Sequence, residues 1–199
     1  MYLYGASGHA KVIIDTLKSE GITIDGIFDD NLLVKHLLEF TVVGKYSPAI
    51  VKNEKIIISI GDNRTRSEIA ETIQSEFGIA VHKNAWISSY SSINVGSVVM
   101  QNAVIQASVV IGKHVIINTS AIVEHDCIIE DFVHISPHAT LCGNVHVGKG
   151  THIGAGATVI PSIKIGKWSI IGAGSIIIDD VPDNVIIVGN PGKIINKIK

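Results

Sequence analysis

The sequence predicts a small α/β domain followed by a left-handed parallel β-helix, and two observations carry that expectation. The first is a six-residue apolar period. Every sixth residue from Ile87 to Ile177, sixteen positions in all, is Ile, Val or Leu. With roughly a third of residues aliphatic, chance would produce such a run about once in tens of millions of attempts. The second is a change of period: before about residue 80 the chain alternates short apolar runs with helical spacing. The boundary is expected near His82, giving domains 1–82 and 83–199.

Tyr2 to Tyr4 reads as a short buried strand, followed by the turn Gly5-Ala6-Ser7-Gly8-His9. Helical spacing then runs through Val12, Ile13 and Leu17 to Gly21, a residue suited to a helix end. Ile24 to Phe28 is a second strand that stops at Asp29-Asp30-Asn31. Lys55 to Ile60 is a third, stopping at Gly61-Asp62-Asn63, with a helix expected from Arg64 to Glu76. Strand, glycine turn, helix, and a strand ending in acid make half of a Rossmann-like nucleotide-binding unit. The turn is not a full G-x-G-x-x-G fingerprint. It nevertheless opens a helix, where free N–H groups and the helix dipole favour phosphate. Asp29 and Asp30 stand where ribose or base hydroxyls are usually read. An ordinary turn and a solvated acidic loop are the competing reading.

A six-residue period means one short strand and one turn, and three such units make a coil of 18 residues. The aliphatic residue points inward and stacks on its equivalent in the next coil, about 4.8 Å away. Four places after it stands a small or β-branched residue, such as Ala103, Val109, Val115, Ala121 or Cys127. Residues two and three places after it fall at corners and face outward. The pattern stops at Val181-Pro182-Asp183, before a strand-like Val185 to Val188 and then Gly189-Asn190-Pro191-Gly192-Lys193. Long flat faces with little burial per coil predict an oligomer.

The coil length also predicts neighbours. Ala107, His125, Gly143 and Pro161 form one outward column, so His125 has a bare glycine amide above it. A base beside an uncovered N–H suits acyl transfer: one takes the nucleophile's proton, the other holds the oxyanion. Asp126 follows at the same corner and can orient the imidazole. Gly154-Ala155-Gly156 and Gly172-Ala173-Gly174 are 18 apart and form a smooth wall suited to a narrow chain such as pantetheine. Tight corners also favour glycine whatever the function. His114, His138 and His146 read as solvated turn residues, and His134 lies in a mixed column with Ile116, His152 and Ile170.

Composition narrows the classes. Hydrophobic residues make up 46%, aromatics 5% and charged residues 17%, so the interior is aliphatic. Net charge is −2 and no basic run tracks a phosphate backbone, which argues against nucleic acid. No signal peptide is visible at Met1-Tyr2-Leu3-Tyr4-Gly5, and no apolar run is long enough to span a bilayer. Cys127 and Cys142 fit reduced thiols in a cytoplasmic protein. No two histidines stand five apart, which sets aside a metal hydratase of the γ-carbonic anhydrase type.

Tyr4-Gly-Ala-Ser-Gly-His9, Phe28-Asp-Asp30, Ser59-Ile-Gly-Asp-Asn63, Asn118-Thr-Ser-Ala-Ile-Val-Glu-His-Asp126 and Gly189-Asn-Pro-Gly-Lys193 together carry a resemblance over nearly the whole chain. The chain resembles the bacterial hexapeptide-repeat sugar acyltransferases with an N-terminal Rossmann-like domain. These include sialic acid O-acetyltransferases and N-acetyltransferases acting on nucleotide-linked 4-amino-4,6-dideoxy sugars. The resemblance implies an acetyl-CoA-dependent sugar N-acetyltransferase of bacterial glycan biosynthesis, acting on a nucleotide sugar, UDP-linked foremost. It implies a homotrimer with sites between neighbouring β-helices and no metal. His125 is then the general base and Asp126 its helper, where the amino-sugar enzymes carry Glu. Ser7, Gly8, His9, Asp29, Asp30 and Gly61 match positions that hold the nucleotide sugar. His134, Gly143, Ala155 and Ala173 match positions that line acetyl-CoA. Two other functions compete: an O-acetyltransferase on a free sugar, and a non-catalytic nucleotide-sugar-binding module.

Overall fold

The computed structural model describes residues 1–198. Its N-terminal domain is built on a parallel sheet: β1 (Tyr2–Tyr4), β2 (Gly26–Phe28), β4 (Phe40–Gly44) and β5 (Ile56–Ile58), with β3 (His36–Leu37) as an antiparallel edge. The order is β3-β4-β2-β1-β5, so the chain winds outward from β1 first one way and then the other. That switch point lies between the ends of β1 and β5, where such sheets leave a crevice. Helix α1 (Gly8–Ser19) buries Ala10, Ile13, Ile14 and Leu17 against the sheet, the stripe that its spacing predicts. A single turn, α2 (Pro48–Val51), precedes β5.

Helix α3 covers Asn63–Thr72, shorter than the stretch to Glu76 that the sequence suggests. The Tyr46 hydroxyl is the reason. It accepts from the amides of Gln74 (3.0 Å) and Ser75 (3.1 Å), which would otherwise continue the helix ladder.

From β6 (Ala80–Val81) onward the chain is a three-sided prism. All sixteen period positions form the second residue of a two-residue strand, and each pairs in parallel with a strand 18 residues before or after it. The prism begins one rung earlier than expected, because Ala80–Val81 already pairs with Val98–Val99.

The first face carries the rungs at Ile122–Val123 and Thr140–Leu141, the second those at Ile128–Ile129 and His146–Val147, the third those at His134–Ile135 and His152–Ile153. The interior is a column of buried aliphatics, from Val99 to Ile187. Ser97, Thr151 and Ser169 sit within it because each bonds backbone: the Thr151 hydroxyl donates to the Gly166 carbonyl (2.6 Å) and accepts from the Ser169 amide (3.0 Å).

The last coil is two residues short. Val181 bridges to Ile165, and Val185–Val188 lies parallel to Ile170–Ile171 at a step of 16 residues instead of 18. The strand Lys193–Lys197 then folds back antiparallel on Val185–Val188. The N-terminal domain packs on the third face, burying Val98, Met100 and Ile116 in one cluster with Leu3, Ile13 and Leu17.

Candidate functional site

At the switch point the chain turns sharply. Gly5 has φ +109°, and a Cβ there would stand 2.7 Å from Ile60 Cγ1, so β1 and β5 can close only on glycine. Asp29 ties this turn down. One of its oxygens accepts from the Ala6 amide (2.7 Å), the other from the Asn31 amide (2.8 Å). Asp30 accepts from the Tyr4 hydroxyl (2.8 Å). Burial, and then that carboxylate, push the Tyr4 phenol up to about 12. Ser7 and Gly8 are exposed at the start of α1, and the Ser7 side chain makes no capping bond. The first turn of α1 therefore points free N–H groups at solvent.

His9 and Gly61 close the other side of the crevice, where the domain meets the third face. The His9 ring lies 3.9 Å from where a Gly61 Cβ would stand, and its centroid is 6.2 Å from that of His134. His134 stacks on His152 at 4.8 Å, the distance that the rung spacing imposes. The Asn118 amide nitrogen is 3.0 Å from His134 Nε2, and since it can only donate, that ring nitrogen accepts. Ser136 Oγ holds His152 Nε2 at 2.7 Å. Burial, and then the cationic Arg66, lower His9 to about 4; burial, then His152 and Arg66, lower His134 to about 3. Both imidazoles are neutral at pH 7.

Arg66 itself was not expected. It is 1% exposed, and its donors go to carbonyls of Ile60, Gly61, His114 and Phe132 and to the Asn63 side chain. His114 is not the solvated turn residue of the sequence reading. It is 4% exposed, stacked on Phe132 at 5.0 Å and edge-on to Phe77, because the N-terminal domain covers its corner. His146 is held by Glu130 at 2.9 Å, and His138 is exposed.

On the corner between the first and second faces, His125 Nδ1 lies 2.7 Å from Asp126 Oδ2. The carboxylate accepts the Nδ1 proton, which leaves the Nε2 lone pair free. The ring covers Gly143: a Cβ there would be 2.6 Å from His125 Cε1 and 2.7 Å from Nε2. The neighbouring amides are taken up, Asn144 on the His125 carbonyl (2.9 Å) and Cys142 on the Val159 carbonyl (3.0 Å). The Gly143 amide has no acceptor among the described residues. Base, orienting acid and open N–H thus converge on one corner.

Ala155 and Ala173 stack on a different corner, between the third and first faces, where the Gly174 amide donates to the Ala155 carbonyl (2.8 Å). Both residues are exposed, and their own amides are unpaired among the described residues. The third corner contrasts with these two: the amides of Lys113, Lys149 and Lys167 are each capped by a carboxylate, from Asp131, Glu130 and Asp183. A triangle's corner lies opposite its third side. His125 and Gly143 therefore point away from His134, His9 and Gly61, and the residues expected to line acetyl-CoA do not form one surface within a chain.

A cavity of about 480 Å³ opens between the start of α3 and the third face, lined by Gly61, Arg64, His134, His152, Gly150 and Trp168. The Arg64 guanidinium lies over the Trp168 ring at 5.2 Å. A cleft of similar volume on the second face has its acids engaged: Glu130 with His146, Asp180 and Asp183 with backbone amides. No group of three or more His, Cys, Asp or Glu that could hold a metal ion occurs among the described residues. Nor is any described helix long and apolar enough to cross a membrane.

Residues 1–73 match the family described as PglD N-terminal domain, and residues 144–179 match bacterial transferase hexapeptide (six repeats). Among solved structures, the chain superposes with a TM-score of 0.94 on a mutant of perosamine N-acetyltransferase from Caulobacter crescentus in complex with CoA and GDP-perosamine. The two are 33% identical, over 98% of this chain and 96% of that one. The acetyltransferase domain of PglB from Neisseria gonorrhoeae in complex with acetyl coenzyme A gives a TM-score of 0.89 at 35% identity, covering 98% of both chains. An uncharacterised protein of Acanthamoeba polyphaga mimivirus is 36% identical over 101 residues, which are 50% of this chain and 21% of that protein. The chain spans about a fifth of the length of that curated relative. With both family models matched and 98% of the chain superposed at 33% and 35% identity, the protein belongs to the hexapeptide-repeat sugar acyltransferases that carry a PglD N-terminal domain.

Proposed function

We propose that the protein transfers the acetyl group of acetyl-CoA to the 4-amino group of a nucleotide-linked 4-amino-4,6-dideoxy sugar. The observation that carries this reading is the His125–Asp126 pair, at 2.7 Å, lying over the unpaired Gly143 amide. His125 Nε2 takes a proton as the amine attacks the thioester carbonyl. The oxyanion rests on the Gly143 N–H. The C–S bond then breaks, and the departing CoA sulfur receives the proton that His125 holds. The nucleotide belongs at the switch-point crevice, over Ser7 and Gly8, with Asp29, Asp30, His9 and Gly61 around it. The unpaired amides of Ala155 and Ala173 suit the pantetheine arm. Free thiols at Cys127 and Cys142 accord with a cytoplasmic setting, where acetyl-CoA is made and used.

The separation of the two halves of the site favours a trimer. Base and acceptor domain lie on opposite sides of one prism, so a second copy must bring its His125 corner to the third face. Val110 and Ile128, one rung apart on the second face, are 44% and 47% exposed and offer apolar surface to cover. Light scattering is expected to give three times the 21.2 kDa chain mass, and a monomer at micromolar concentration contradicts the arrangement.

The test of function is a panel of UDP-, dTDP- and GDP-linked 4-amino sugars assayed for CoA thiol release. Turnover with at least one, and none with the 4-hydroxy analogues, is the expected result. Transfer to free sialic acid alone would establish O-acetylation instead. Asp29→Ala frees the Ala6 and Asn31 amides, and should weaken nucleotide-sugar binding about tenfold while acetyl-CoA affinity stays within about twofold. Calorimetry showing equal losses for the two ligands would contradict the separate seats.

A further inference from the structure

Three corner carbonyls stack along the edge between the second and third faces: His114, Phe132 and Gly150, spaced by 18 residues. All three residues are in the left-handed conformation, with φ of 54°, 61° and 70°. Their carbonyls are received in succession by Arg66 Nε (2.9 Å), Arg66 Nη2 (2.9 Å) and Asn63 Nδ2 (3.0 Å). Asn63 Nδ2 also lies 3.2 Å from the Thr151 carbonyl, and its Oδ1 accepts from Arg66 (2.8 Å). The other guanidinium nitrogen holds the Ile60 and Gly61 carbonyls at 3.0 and 3.1 Å, on the loop that closes the nucleotide crevice.

One planar group thus grips two successive rungs of the prism, hands the third to Asn63, and binds the acceptor-domain loop with its remaining N–H groups. A sheet ladder repeats about every 4.8 Å, so a domain docked on it by apolar contact alone has several nearly equivalent seats. Which rung is met is fixed by the covalent join at β6, and the fork of Arg66 and Asn63 fixes the height within that rung, because the corner carbonyls recur only once per rung.

We propose that Arg66, with Asn63, is a positioning residue that sets the height along the prism at which the acceptor amine is presented. This rests on the acetyl-transfer reading above. In a trimer whose axis runs along the prism, each coil meets the same coil of its neighbour. His125 of the partner subunit then stands at the height of His134, in the coil whose corner Phe132 carbonyl Arg66 holds. Slippage of the acceptor domain by a fraction of a rung leaves both ligands bound but parts the amine from the thioester. Misplacement by about 1 Å costs on the order of 10²-fold in rate.

The test uses Arg66→Lys and the milder Asn63→Ser in the full-length protein. Turnover is measured with both substrates saturating, and the affinity for each substrate by calorimetry. Folded fraction is followed by thermal melting. We expect turnover per folded chain to fall about 30- to 100-fold for Arg66→Lys and about 5- to 10-fold for Asn63→Ser. Both dissociation constants should stay within about threefold. Should Arg66→Lys fail to fold, Asn63→Ser alone decides. Unchanged turnover per folded chain would reduce the pair to a structural bolt and overturn the proposal. So would a loss confined to nucleotide-sugar affinity with kcat intact, which would make Arg66 a shaper of the crevice. Failure of the underlying reading shows separately, as wild-type protein that acetylates no nucleotide-linked amino sugar.

Discussion

Replacing His125 by alanine should slow acetyl transfer by roughly 10²–10⁴-fold at pH 7, the usual contribution of a positioned general base. The geometry gives reasons to expect the upper part of that range. Asp126 fixes the tautomer with Nε2 unprotonated, and the ring stands over the Gly143 amide, which has no acceptor among the described residues. An amine acceptor is mostly protonated at neutral pH, so raising the pH supplies free amine without help from the enzyme. The variant is expected to recover partially near pH 9, with acetyl-CoA affinity little changed. Asp126→Asn should lose less than His125→Ala, because it leaves the base in place and disturbs only its orientation. Turnover of His125→Ala matching wild type across this range would show that His125 is an ordinary corner residue.

Gly143→Ala should cost about 10²-fold in kcat although it removes no functional group. The new methyl would fall 2.6 and 2.7 Å from two atoms of the His125 ring, closer than carbon contacts allow, so the imidazole must swing off its seat. The amide that would hold the oxyanion is retained, which separates loss of the base's position from loss of the donor. A double variant provides the check. Once His125 is alanine, adding Gly143→Ala should cost little more, because there is no ring left to displace. Additive losses would mean that the glycine serves the site in some other way than by seating His125.

These two effects rest on features open to reading before any coordinates. The six-residue period forces the 18-residue coil, and the coil puts Gly143 beside His125 by arithmetic alone. The same arithmetic holds more than was drawn from it. Counting faces from Val123 places His125 on a corner and Ile135 on the opposite side, which is the separation that the structure shows between His125 and His134. Arg66 was hidden for a different reason. A lone arginine on a helix normally reads as a solvated charge, and what chiefly holds this one is a set of backbone carbonyls, of Ile60, Gly61, His114 and Phe132, residues with nothing in common. Sequence records side chains, and this contact does not use them. The burial of His114 was missed likewise, because the period marks it as a corner without saying which corner the N-terminal domain will cover. The shortened α3 depended on a tyrosine hydroxyl nearly thirty residues away in the chain.

The shortened last coil bears on behaviour at high concentration. A stack of parallel rungs has an open end whose N–H and C=O groups could template the first rung of another molecule, the geometry on which cross-β fibres grow. Here the third face does not end on a rung. The 16-residue step shifts Val185–Val188 out of the repeat, and Lys193–Lys197 runs back across it with all five residues exposed and a lysine at each end. An incoming parallel strand meets an edge of reversed direction with a charged lysine at each end. The tail that looks like an appendage to the prism thus acts as a terminator, letting a sequence with the regularity of a fibril remain a discrete particle.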